Sequence, residues 1–256
     1  MTRLTDWFTR TVPFTARTVV YLLAHVVIFL IGLVLVIAGG TGRIAVGTSL
    51  MGAAIAGWVM FSYIVVSDRW TRRLEVLSEF GIKDAFAARS VRIRAVYDQR
   101  LAAAERNIDA LGFGQRALRQ DHAQDFEAWG RRTMVRILLL DPEFISTGAL
   151  LADQRDAEEG ERPGTISGDV NDFLVSVRPA VERSSGRFQV RLYRCLPTVN
   201  IFRIDDDLFW GPYLVREQSR NSPTFHVGRG GLLFDRLLRH FEAIWSDSEL
   251  SRSPFD

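Results

Sequence analysis

Lysine is almost missing from this chain. Lysine and arginine together number 32, and Lys83 is the one lysine among them. No glycine-rich loop ends in Gly-Lys-Ser/Thr, so a P-loop nucleotide hydrolase is excluded, and any chemistry that needs a lysine must use Lys83. Cysteine is equally scarce. Cys195 is the single one, which excludes an intrachain disulfide and a cysteine-based zinc site. It stands among Leu192, Tyr193 and Leu196 and reads as a buried structural thiol. There are four histidines. His122 shares a predicted helix with Asp121 and Asp125, a trio that reads as solvated surface, so no metal is expected. Ser184, His226 and an acid would supply the residue types of a hydrolytic triad. The Gly-x-Ser-x-Gly turn that presents such a serine is absent. No cofactor motif is present. The net charge is only +2, so composition does not point to a polyanion, and no nucleic-acid partner is expected.

Charge is also absent from two long runs. Thr18–Ala38 and Ile44–Val66 hold no Asp, Glu, Lys or Arg, and each is long enough to cross a hydrocarbon core as a helix, which takes about 20 residues. Only Gly39-Gly40-Thr41-Gly42-Arg43 separates them, room for a tight hairpin turn. A cleavable leader is excluded as the reading of the first run, because its apolar stretch is too long and a second span follows at once. Arg3, Arg10 and Arg17 precede the hairpin and Arg69, Arg72 and Arg73 follow it, against Arg43 alone in the loop. Positive charge marks the cytoplasmic side. The expectation is a two-span protein of the inner (plasma) membrane with both termini cytoplasmic and the lipid bilayer as its first partner. Ser49, Ala53 and Gly57 recur every four residues, a spacing that lets helices approach closely. It reads first as packing of the hairpin on itself and second as contact between copies. His25, mid-span, reads as a packing residue.

The expected organisation is a cytoplasmic N-terminal segment (1–17), the hairpin (18–66), juxtamembrane helices (67–106), an α/β domain (107–247) and a C-terminal tail (248–256). Trp70, Leu74, Leu77 and Phe80 form one helical stripe within a helix predicted over Ser67–Arg89. A second helix is predicted over Arg89–Arg106. Strands are predicted at Asn107–Gly112, Thr133–Asp141, Phe188–Tyr193, Val199–Ile204, Leu208–Tyr213 and Thr224–Val227, with helices over Gln120–Arg131, Asp169–Arg183 and Leu232–Trp245. The polar, acidic Ala152–Gly168 reads as an exposed loop. Alternating helices and strands predict a layered α/β domain.

Four segments carry a resemblance: AERNIDALG (Ala104–Gly112), VRILLLDPE (Val135–Glu143), VRLYRCLPTVNIFRID (Val190–Asp205) and FDRLLRHFEAIW (Phe234–Trp245). In this order they resemble one lobe of the phospholipase D superfamily. The fold this resemblance implies is an N-terminal two-helix transmembrane hairpin followed by a phospholipase-D-like α/β lobe. The active lobe of that superfamily carries His-x-Lys-x(4)-Asp, with a histidine nucleophile and a phosphate-binding lysine. Aligned on Asp205, those positions hold Thr198 and Asn200. Threonine without an adjacent base is a poor nucleophile, and asparagine carries no charge for a phosphate. The resemblance therefore implies the fold without the activity, and no catalytic residue is assigned.

A degenerate pocket remains. Thr198, Asn200, Arg203, Asp205, His226 and Arg229 are its expected ligand-binding residues, with Asp206 and Asp207 beside them. Arg203 and Arg229 suit a nucleotide or other phosphate-bearing ligand, and Gly228–Gly231 precedes a helix whose N-terminus suits an anion. The functional expectation is a membrane-anchored cytoplasmic receptor or effector, of the kind used in bacterial signalling or defence, that senses a ligand or partner and couples it to the hairpin. The alternatives are a tethered phosphodiesterase or nuclease with an altered mechanism, for which His226 would be needed, and a membrane scaffold. Lobes of this superfamily work in pairs, so a homodimer or higher homo-oligomer is expected.

Overall fold

A computed structural model of the chain describes residues 16–87 and 91–255. Arg3 and Arg10 lie outside them, as do the side chains of Arg17, Arg69, Trp70, Arg72 and Arg73. The chain divides into two compact units, Met1–Val76 and Leu77–Asp256.

The first unit is the helical pair. Helix α1 spans Ala16–Ile37 and α2 spans Thr41–Phe80. The segments Val19–Ile37 and Thr41–Ile64 are long and apolar enough to cross a membrane, with mean hydropathies of 3.0 and 1.7. Large apolar side chains such as Val20, Val34 and Val59 are about two-thirds exposed. The seam between the helices is built on small residues. Gly32 and Gly47 face each other so closely that a Cβ on Gly32 would lie 2.7 Å from the Gly47 carbonyl oxygen. Ala54 is fully buried, and Gly57 leaves room for the His25 ring. His25 Nδ1 lies 2.9 Å from the Tyr21 carbonyl oxygen, Tyr21 Oη donates to the Gly57 carbonyl at 3.3 Å, and Tyr21 stacks on Phe61 at 4.9 Å. The four-residue stripe therefore needs correction: Gly57 is in the seam, whereas Ser49 and Ala53 are exposed.

The second unit is a three-layer α/β domain. Its elements in order are β1 (Ile82–Phe86), α3 (Val91–Ala102), β2 (Asn107–Gly112), α4 (Arg116–His122), α5 (Phe126–Arg132), β3 (Met134–Leu140), the small hairpin β4 (Ile145–Ser146) and β5 (Ala149–Leu150), α6 (Leu151–Glu159), α7 (Thr165–Arg183), β6 (Phe188–Tyr193), β7 (Val199–Ile204), β8 (Asp207–Pro212), β9 (Thr224–Gly228), α8 (Leu232–Ser246) and β10 (Ser251–Arg252). The eight-stranded sheet runs β1-β9-β8-β7-β2-β3-β6-β10. Strands β2, β3 and β6 are parallel; each remaining neighbour pair is antiparallel. The apolar run of β3 fits a strand buried on both faces. One face packs Leu101, Phe126, Trp129, Phe173 and Val177 from α3, α5 and α7. The other packs Phe234, Phe241 and Ile244 of α8 with Leu151 and Ala152 of α6. The expected fold class, an α/β domain behind two apolar helices, is the observed one.

Three local expectations differ from the structure. The helix predicted to Arg89 ends at Phe80, because Gly81 takes a left-handed φ of 73° that terminates helices; Ile82–Phe86 then becomes an edge strand on β9. Ala152–Gly168 is mostly helical. Leu151, Ala152, Arg155 and Asp156 are buried on one face of α6, and Arg155 offsets Glu158 and Glu159 at 2.8 and 2.9 Å. The tail supplies β10, whose Arg252 donates to the buried Asp141 at 2.7 Å.

Candidate functional site

Ligands of open α/β sheets bind outside the carboxyl ends of the strands, where connections leave in opposite directions. Here that point is the end of β2, flanked by parallel β3 on one side and antiparallel β7 on the other. A cavity of about 240 Å³ opens there, walled by Gly112–Ala117 after β2, Asp156 and Glu159 of α6, Thr165 and Asp169 of α7, Asn200 of β7 and Tyr213 after β8. Side chains crowd Gly112: a Cβ there would lie 2.5 Å from Gln115 Nε2 and 3.4 Å from Tyr213 Oη. Gln115 holds a left-handed backbone, φ 49°, a conformation with a cost that clusters at functional sites. A second cavity of about 350 Å³ shares Gln115, Ala117 and Arg220 and is walled by the apolar Ile93, Tyr97, Leu118 and Phe202.

The first cavity is polar without being a phosphate cradle. Asp156, Glu159, Glu161 and Asp169 line it against Arg116 and Arg220. Arg116 Nε donates to both oxygens of Asp169, at 2.9 and 2.8 Å. Asp156 is fully buried; burial raises its pKa, although its carboxylate accepts from the Ile166 N–H at 3.1 Å. The lining holds no His, Lys or Cys. Asn200 Nδ2 donates to the Gly211 carbonyl at 3.1 Å. Thr198 is exposed and meets Tyr213 through its carbonyl at 3.1 Å. Neither position offers a nucleophile with a base beside it.

Arg203 and Asp205 lie toward the other end of β7, while His226 sits on β9, level with Phe209 of β8 and Phe202 of β7. Asp205 stands five positions on from Asn200, about 17 Å along a strand, so the expected single pocket is corrected: of the six residues only Asn200 lines the cleft. Arg203 is a structural ion-pair member. Its Nη1 donates to Asp109 at 2.9 Å, its Nε to the Asp205 carbonyl at 2.9 Å and its Nη2 to Asn107 at 3.1 Å. Asp205 turns the β7–β8 hairpin with φ 51°, and its carboxylate accepts from the N–H groups of Glu105, Arg106 and Asn107 at 2.9, 2.8 and 2.8 Å. Aspartate tolerates that backbone. Arg229 is exposed and shares Asp206 with Arg106.

His226 belongs to a cluster that sequence spacing did not reveal. Its Nε2 lies 2.7 Å from Asp207 Oδ1, and its ring stacks on Phe209 at 4.4 Å. Lys83 reaches the same oxygen at 2.7 Å and Arg100 the other at 3.2 Å. Burial would raise the Asp207 pKa, but the hydrogen bonds from His226 and Lys83 hold it far below the usual carboxylate range. The one lysine was a visible signal; its partner, 124 positions away, was not. Two features aim it: an irregularity of β1 between Ile82 and Asp84, and Gly228, where a Cβ would collide with the Lys83 side chain.

No protein-family model and no curated protein matches this chain. Several solved structures are similar to it. One is TrmBL2, an archaeal chromatin protein whose structure shows a novel mode of DNA binding; it has a TM-score of 0.43 at 11% identity, over 78% of this chain and 69% of that one. Another is the phosphatidylserine synthase of Haemophilus influenzae Rd KW20, with a TM-score of 0.43 at 13% identity, over 81% of this chain and 47% of that one. The chain thus spans about half the length of the synthase.

The site is therefore judged on its own geometry. The cleft can bind and orient a polar molecule through amides, carboxylates and two guanidiniums. The Asp207 cluster neutralises one buried carboxylate with three donors and ties β1, α3, β8 and β9 together.

Proposed function

We propose that this chain is a membrane-anchored binding domain: a phospholipase-D-like lobe without the catalytic pair, which receives a ligand in the cleft at the end of β2 and passes the event to the helical hairpin. The observation that carries this reading is the content of the cleft. It sits where α/β sheets bind ligands, and Asn200 lines it where the superfamily has its lysine. No His, Lys or Cys accompanies it. Four carboxylates against two guanidiniums favour a neutral or cationic polar ligand there over the phosphate-bearing one that the sequence suggested. Cytoplasmic placement of both termini and pairing of two copies belong to the same proposal. Both are motivated by the arginine distribution and the single lobe.

The test is a panel of small polar molecules screened by thermal shift on the full chain in detergent. A true ligand at a hundred times its dissociation constant should add about 2.7 kcal/mol. Asn200→Leu should remove the shift. Phosphodiester hydrolysis by the wild type that disappears in His226→Ala would replace this reading with the tethered-enzyme one. No shift from any class of ligand would favour the scaffold.

A further inference from the structure

We propose that the segment between β8 and β9, residues 213–223, is a lid over the cleft, latched by Arg155. The segment has no helix or strand of its own, yet Tyr213, Gln218, Ser219 and Arg220 form part of the cavity wall. It covers the site without being built into the sheet.

Its fastening is polar and goes to one short stretch of chain. Arg155, only 5% exposed, donates from Nη1 to the Leu214 carbonyl at 3.0 Å and from Nη2 to the Glu217 carbonyl at 2.8 Å. Ser219 Oγ donates to Glu159 at 2.9 Å. Gln218 Nε2 donates to the Glu159 carbonyl and to Glu161, both at 3.3 Å. Beyond Tyr213, which packs against the core, the segment contributes little apolar burial in return: Leu214 and Val215 are 37% and 74% exposed. Arg216 holds a left-handed backbone, φ 59°, which a non-glycine residue relaxes on release. A segment held by few apolar contacts and by a handful of polar ones opens at lower cost than the sheet it covers.

The latch is satisfied in either state. Without the lid, Arg155 still has Glu158 at 2.8 Å and Glu159 at 2.9 Å, and its guanidinium still lies 5.5 Å from the Phe113 ring centre. Opening therefore strands no buried charge, the usual obstacle to moving such a residue. The far anchors are firm: Ser222 and Thr224 are buried, and the Pro223 carbonyl packs against Gly211. The moving part is the stretch from Leu214 to Asn221, with Tyr213 and Ser222 as its hinges. The lid is a property of the free protein and stands whether or not the cleft proves to be a ligand site.

The experiment uses the full chain in detergent with Cys195→Ser and a reporter thiol in the cleft, Asn200→Cys. Maleimide labelling of that thiol reads access; amide hydrogen exchange reads local opening. The expected result is exchange over 213–223 that is faster than over β8 and β9. Arg155→Lys, which loses the fork to two carbonyls, should raise labelling at least tenfold and leave β8 and β9 exchange unchanged. Should Arg155→Lys fail to fold, Ser219→Ala removes one fastening and serves with the same two readouts, and a threefold rise is expected. A labelling rate indifferent to the substitutions would overturn the proposal, as would an exchange increase spread over β7, β8 and β9 together.

Discussion

Arg203 donates to Asp109 at 2.9 Å across the β2–β7 ladder, and the pair stands in register on neighbouring strands. Asp109 is fully buried and also accepts from Arg136 at 2.7 Å. Arg136 in turn grips both oxygens of Glu242 on α8, at 2.9 and 2.7 Å, with its guanidinium 4.9 Å from the Phe241 ring centre. One carboxylate thus fixes two arginines and, through them, a helix.

Asp109→Ala should destabilise the domain strongly, because it leaves two nearly buried guanidiniums without their shared partner. Breaking a buried pair from one side costs about 3–5 kcal/mol. Urea unfolding followed by tryptophan fluorescence is the measurement. Arg203→Ala should also lower stability; an unchanged melt would show that Arg203 is the solvated pocket residue that the sequence suggested.

Gly228 and Gly231 should respond differently to alanine. At Gly231 a Cβ would lie 2.6 Å from the Gly81 nitrogen and 2.8 Å from the Phe80 carbonyl oxygen. Backbone must move, at about 1–3 kcal/mol. At Gly228 the obstacle is the flexible end of Lys83, which can swing aside. Gly228→Ala should melt close to the wild type, while Gly231→Ala melts measurably lower.

Acidification should weaken the fold in two stages. Burial lowers the His240 pKa, so the folded state prefers the neutral ring, and stability falls as pH drops below about 6.5. For Asp207 and Asp141, burial acts to raise the pKa and is outweighed, by His226 and Lys83 in one case and by Arg252 and Arg194 in the other. Depressed carboxylates stabilise above the unfolded value, near 3.9, and that contribution is lost as pH falls below it. Asp156, raised by burial, works in the opposite sense. A pH series of melting temperatures should show the first loss reduced in His240→Phe and the second reduced in Asp207→Asn.

In the hairpin, Gly47→Val should separate the helices, since a side chain there meets the Gly32 carbonyl and lies within 3.1 Å of the Val36 nitrogen. Ala53→Val, on the exposed face, should leave the pair intact. Unfolding in mixed micelles should separate the two by about 1–3 kcal/mol. Reporter fusions at residues 10 and 256 should both report cytoplasm; a periplasmic signal from either would reverse the orientation.

Much of the fold was legible because its signals are local. The expected bounds of β2, β6 and β7 are the observed ones, and those of β3 differ by one residue at each end, since continuous or alternating apolar runs are short-range patterns. The two apolar helices follow from length and charge alone. Strand β1 was missed because Ile82–Phe86 carries Lys83 and Asp84 and continues a helical stripe; charges suit an edge strand but hide it. Helix α6 was missed because its composition is that of a solvated loop, and only tertiary partners make Arg155 and Asp156 burial-compatible.

The candidate site divides along the same line. The motif alignment, a local comparison, singles out Asn200, which lines the cleft. Arg203, Asp205 and His226 are polar residues in or near the strands expected to line the pocket, yet Asp205 lies five positions further on, just past the end of β7, and His226 lies on β9, where each meets other partners. The sequence by itself determined the membrane-spanning length of two helices and the α/β class, since each rests on residue type and short spacing. Only the tertiary structure decided which polar groups are occupied: Arg203 by Asp109, Lys83 by Asp207, Arg155 by the segment over the cleft. Those pairings join residues 94, 124 and 59 positions apart, and strand register, which no local pattern encodes, sets each of the first two.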